Sequence, residues 1–137
     1  MKSFTENPYT HNRYYGDIVR RLFLGGAILM LVTLPFLNDV IPVPLIFSLV
    51  TILGLGLVAG FMNPRRYWII VVHGIIASGA VLTFEYYAVD AYRRYAFQNI
   101  LFPVNQTLAL IFLVALYYTV KTARSLKKKD LLPKELV

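Results

Sequence analysis

An all-α integral membrane protein with four transmembrane helices is the fold class that this 137-residue chain predicts, on three observations. Four long apolar runs occupy most of the chain, the breaks between them are short, and positive charge gathers in alternate breaks. The runs are Leu22 to Leu37, Leu45 to Met62, Trp68 to Phe84 and Pro103 to Val120. Each lies near the roughly 20 residues that cross a hydrocarbon core about 30 Å thick. Too little polar sequence remains to cover four such helices in water. The expected architecture is an antiparallel bundle, one membrane domain over 1–137, with spans at about 18–38, 44–62, 66–90 and 102–122.

The 14 Lys and Arg residues set the expected orientation. Lys2, Arg13, Arg20 and Arg21 precede the first run, Arg65 and Arg66 separate the second from the third, and six more follow the fourth. Twelve of the 14 therefore fall on one side, and only Arg93 and Arg94 on the other. Short loops rich in Lys and Arg stay in the cytoplasm, so both termini are expected there, in a multi-pass protein of the plasma membrane. The net charge of +7 is then mainly a topology signal. The basic tail lies so close to a span that anionic lipid headgroups, and not nucleic acid, are its expected partners.

Each element has its own local signal. Residues 1–16 are polar and aromatic, with Pro8 and Gly16 as breakers, and read as a cytoplasmic arm. Asp17 stands where a helix cap belongs. Asn38, Asp39, Pro42 and Pro44 make a short outward turn, so spans one and two form a hairpin. Asn63, Pro64, Arg65 and Arg66 close span two, and Tyr67 with Trp68 form an interfacial aromatic pair. The segment Glu85 to Leu101 combines Tyr86, Tyr87, Tyr92, Tyr95 and Phe97 with Asp90, Arg93 and Arg94. It reads as a short amphipathic outer segment between helices 3 and 4, extending span three and bending along the surface, with Asp90 able to pair with either arginine. Pro103 then opens span four, and residues 123–137 form a basic cytoplasmic tail.

The sequence offers little for catalysis. It has no cysteine and only two histidines, His11 and His73, and it carries no phosphate loop, nucleophile elbow or metal-ligand spacing. No enzyme activity, cofactor or metal is expected.

Glu85 is the acid to single out. Eighteen residues from Tyr67 at about 1.5 Å each place it roughly 27 Å across, near the outer edge of the core. On a helical wheel it shares a face with Gly74, Ala77, Ser78, Val81 and Ala88, small residues that admit another helix, so it is expected to point at protein. Asn105 and Gln106 lie at a similar depth and are its expected partners, the three forming a candidate polar site within the membrane. Asn105 shares its own face with Ala109, Phe112, Leu116 and Thr119. His73, about 9 Å in from the opposite edge, is expected to bond a backbone carbonyl and ranks as a secondary polar candidate. Arg65, Arg66, Lys127, Lys128 and Lys129 are candidate headgroup contacts. Gly54, Gly56 and Gly60 in span two, and Gly25 and Gly26 in span one, predict close helix packing.

In length and span count the chain resembles the small multidrug resistance transporters. It has no acid between Asp17 and Asp39, where the resemblance would require the glutamate of the first span. Its outline is also similar to the four-span GtrA-type proteins linked to moving lipid-attached sugars, with Arg65 and Arg66 in an inner loop. The function expected from the residues is helix association, as an accessory or assembly subunit of a membrane complex. The alternative is a small oligomeric transporter, channel or lipid translocator that uses Glu85. Either way, a homo-oligomer or a larger membrane-protein partner is expected.

Overall fold

The computed structural model describes residues 15–37, 44–61 and 67–130. The first 14 residues of the expected arm, the turn at Asn38, Asp39 and Pro42, the link that holds Arg65 and Arg66, and the last seven residues of the tail lie outside the described residues.

Four helices form in order: α1 (Gly16–Leu37), α2 (Leu45–Phe61), α3 (Tyr67–Tyr95) and α4 (Leu101–Asp130). α1 starts slightly before the expected cap, because the Tyr15 carbonyl accepts the N–H groups of Ile18 and Val19. Asp17 consequently sits inside the first turn, where a carboxylate favours the positive end of the helix dipole. α3 and α4 both outrun their expected spans. As expected of an extension of span three, α3 continues as helix through Tyr95; no separate surface element stands over the first eleven residues of the outer segment, and only residues 96–100 connect α3 to α4. Ala88 and Ala91 are the reason: three residues apart and buried, they keep α3 in contact with the bundle beyond Glu85.

Ala96 closes α3 with a left-handed φ of 51°, the conformation that helix ends usually give to glycine. Three aromatic rings seal this turn: Tyr92, Phe97 and Phe102 lie with centroids 5.2, 5.3 and 5.4 Å apart. Asn99 Oδ1 accepts the Leu101 N–H at 3.0 Å and caps α4. Pro103 falls in the first turn, where its missing N–H leaves no partner wanting.

The main helix contacts are α3 with α4, α4 with α1, and α1 with α2. α4 packs on both α3 and α1, and its seam with α3 is the most extensive. Its Phe112 is fully buried, edge-on to Phe23 of α1 at 5.4 Å and stacked on Phe84 of α3 at 5.7 Å. Buried alanines line the contact surfaces, Ala77, Ala88 and Ala91 on α3 and Ala109 and Ala115 on α4, so backbones can approach closely. Most hydroxyls take no part between helices. Those of Thr33, Thr51, Ser78, Thr83, Thr107, Thr119 and Thr122 each donate to the carbonyl four residues back, a bond that needs no neighbour.

α2 is attached differently. It buries Ile52, Leu55 and Ala59 in the core but leaves Ile46, Phe47, Val50, Leu53 and Leu57 exposed. The expectation that its glycines pack closely is corrected by the geometry. A Cβ built on Gly54, Gly56 or Gly60 meets nothing within 4 Å, and the same holds for Gly25. Gly26 is the one that packs as expected, against Phe112.

Candidate functional site

At the far end of α3 the seam with α4 brings two of the three candidate polar residues together. Gln106 Nε2 donates to Glu85 Oε2 at 3.2 Å. Glu85 is exposed, which corrects the expectation that it points into protein. The small-residue stripe does face α4 through Ala77 and Ala88. At 100° per residue, however, Glu85 is turned about 80° from Ala77 and about 60° from Ala88, to the edge of the seam. Asn105 goes elsewhere. It is buried on the face shared with Ala109, Phe112 and Thr119, and its Nδ2 donates to the Leu101 carbonyl at 2.8 Å. The exposed carboxylate with a single amide partner keeps spare acceptor capacity for a cation or a donor. No base or nucleophile stands beside the pair among the described residues within hydrogen-bond distance.

His73 occupies the junction of α1, α3 and α4. Its Nδ1 lies 2.9 Å from the Ile69 carbonyl, as expected from the sequence. A carbonyl only accepts, so Nδ1 is the donor in this contact, and in the Nδ1–H tautomer Nε2 is left as an acceptor. Nε2 is buried and has no hydrogen-bond partner among the described residues. The Phe23 ring covers the imidazole at 5.0 Å, edge-on. A void of about 10 Å³ adjoins it, bordered by Val19, Ile70, Thr119 and Thr122, close to the smallest space that holds a water. The two threonine hydroxyls spend their protons on the Ala115 and Tyr118 carbonyls, at 2.7 and 2.8 Å. Twelve residues of helix, roughly 18 Å, separate His73 from Glu85, so the two form no dyad.

Of the basic candidates, Lys127 is exposed near the end of α4. Lys128 and Lys129 belong to the same helix, and Arg65 and Arg66 lie outside the described residues. Arg20 does something the sequence did not announce. Its Nε donates to the Ala59 carbonyl at 2.8 Å, and Nη2 lies 3.5 Å from the Gly60 carbonyl. The last carbonyls of a helix lack partners within it, and a guanidinium suits both their geometry and the negative end of the dipole. Lys121 sits over the Tyr15 ring at 4.7 Å and the Tyr117 ring at 5.7 Å, tying α1 to α4. On the far turn, Arg94 pairs with Asp90 at 3.0 Å.

These features define a small all-helical protein in which α1, α3 and α4 are long and apolar enough to cross a membrane. α2, with 17 residues, is shorter, about 25 Å of helix and at the lower limit for a span. No protein family, no curated protein and no solved structure matches the chain.

Proposed function

We propose that this is a four-span plasma-membrane protein with both termini in the cytoplasm, acting without catalysis as an accessory or assembly subunit of a membrane complex. The observation that carries this reading is α2. It packs mainly on α1 and leaves an apolar stripe of Ile46, Val50, Leu53 and Leu57 uncovered, with Gly54 open beside it. Residues at this spacing lie on one helix face, and an uncovered glycine lets a second helix approach closely. The test is the mass and composition of the tagged protein extracted from its native membranes in mild detergent. A stoichiometric partner that is lost on Gly54→Leu supports the reading, and a monomer overturns it.

A second reading, a small oligomeric transporter, channel or lipid translocator, is favoured by the exposed Glu85 with Gln106 beside it. A pure homo-oligomer, together with loss of flux in Glu85→Gln at unchanged assembly, supports this one instead.

A further inference from the structure

Between the start of α1 and the end of α2 lies a groove of about 290 Å³ whose lining includes Asp17, Arg20, Arg21, Leu24, Gly56 and Gly60. Its polarity is graded along the helix axes. Asp17, Arg20 and Arg21 stand at one end, while Leu24 lies about one turn farther along α1, and Gly56 one turn farther into α2 than Gly60. A charged head joined to an apolar channel is the shape of a lipid.

Three further observations narrow the occupant. Arg20 is held in place by the Ala59 carbonyl, yet a guanidinium has five N–H donors and this bond uses one, with Nη2 near a second carbonyl. Arg21 and Asp17 have no hydrogen bond or ion pair among the described residues, although they stand four apart on one helix. Finally, Gly56 and Gly60 open onto space, since a Cβ on either would meet nothing within 4 Å. Two guanidinium groups and one carboxylate at the start of an apolar helix match a phosphodiester carrying an ammonium.

The geometry points to a binding groove for a phospholipid with a primary-ammonium headgroup. Its phosphodiester is held by Arg21 and the remaining donors of Arg20, its ammonium by Asp17, and an acyl chain runs along Leu24, Gly60 and Gly56. The inference rests on the membrane reading above but not on the assembly role.

The test uses the full chain, delipidated in detergent and titrated separately with phosphatidylethanolamine, phosphatidylglycerol and inorganic phosphate. Native mass spectrometry and melting temperature are the readouts. Phosphatidylethanolamine is expected to give a one-to-one adduct and raise the melting temperature. Arg21→Gln is expected to weaken binding about tenfold or more, as loss of a charge-assisted bond does. A Cβ at Gly60 meets nothing within 4 Å, so Gly60→Leu is expected to project its side chain into the groove and block the adduct while the lipid-free melting temperature holds. Asp17→Asn is expected to erase the preference for phosphatidylethanolamine over phosphatidylglycerol.

The proposal is overturned by the absence of an adduct, by unchanged binding in Arg21→Gln and Gly60→Leu, by equal binding of phosphatidylglycerol to the native chain, or by inorganic phosphate producing the same shift. Release of the protein from membranes by alkaline carbonate would sink the membrane reading itself. Retention in the membrane without a lipid adduct fails the groove alone.

Discussion

The Phe112 ring fills the place where a side chain at Gly26 would go: a Cβ there would lie 2.9 Å from the ring Cζ and 3.0 Å from Cε2. The ring cannot swing away, because it is fully buried between Phe23 and Phe84. Gly26→Ala is therefore expected to cost about 1–3 kcal/mol of stability through overpacking. Gly25→Ala, next door and open, is expected to be neutral or to stabilise by about 0.5–1 kcal/mol through helix propensity. Unfolding of both variants in detergent checks the pair, and equal behaviour would refute the contact.

Ala96 carries its left-handed φ of 51° at the end of α3 without the freedom of a glycine. Removing the Cβ relieves about 1 kcal/mol of backbone strain. Ala96→Gly is expected to raise the melting temperature with the α3–α4 turn unchanged, and a lowered melting temperature would contradict this account.

His73 leaves a buried acceptor without a donor at the junction of three helices. Phe at this position keeps a ring against Phe23 and removes the orphaned nitrogen. His73→Phe also gives up the Nδ1 bond to the Ile69 carbonyl, so the expected result is a net gain of at most about 1 kcal/mol, the scale of an unmet buried hydrogen bond. A loss of stability would contradict this account.

The absence of cysteine makes single thiol reporters clean. With Cys in place of Gln98 in the α3–α4 turn, or of Arg124 near the end of α4, the proposed orientation gives a definite pattern. An impermeant maleimide added to intact cells is expected to label the first and to reach the second only after the membrane is opened. The reverse pattern would invert the bundle.

Four helices were legible because each apolar run is long and each break carries proline, asparagine or charge. The exact ends of α3 and α4 were not, since Glu85 to Tyr95, though readable as an extension of span three, has the composition of an interface. What extends α3 is the burial of Ala88 and Ala91 against the bundle, a contact that composition does not display. The polar site was partly legible. Depth alone paired Glu85 with the Asn105–Gln106 neighbourhood, but neighbours on a helix point about 100° apart, so only Gln106 reaches it. Arg20 was read as a topology charge because its partners are backbone carbonyls, which no side-chain pattern reveals.

The packing of α4 on both α1 and α3 has a consequence for the order of events at the ribosome. The α1–α2 pair can close as soon as both helices exist, since its contacts lie within the first half of the chain. Phe23 and Phe84, by contrast, wait for Phe112, which is made last. Until then α1 and α3 lack the ring they both pack on, and a chain halted after α3 leaves those apolar faces uncovered.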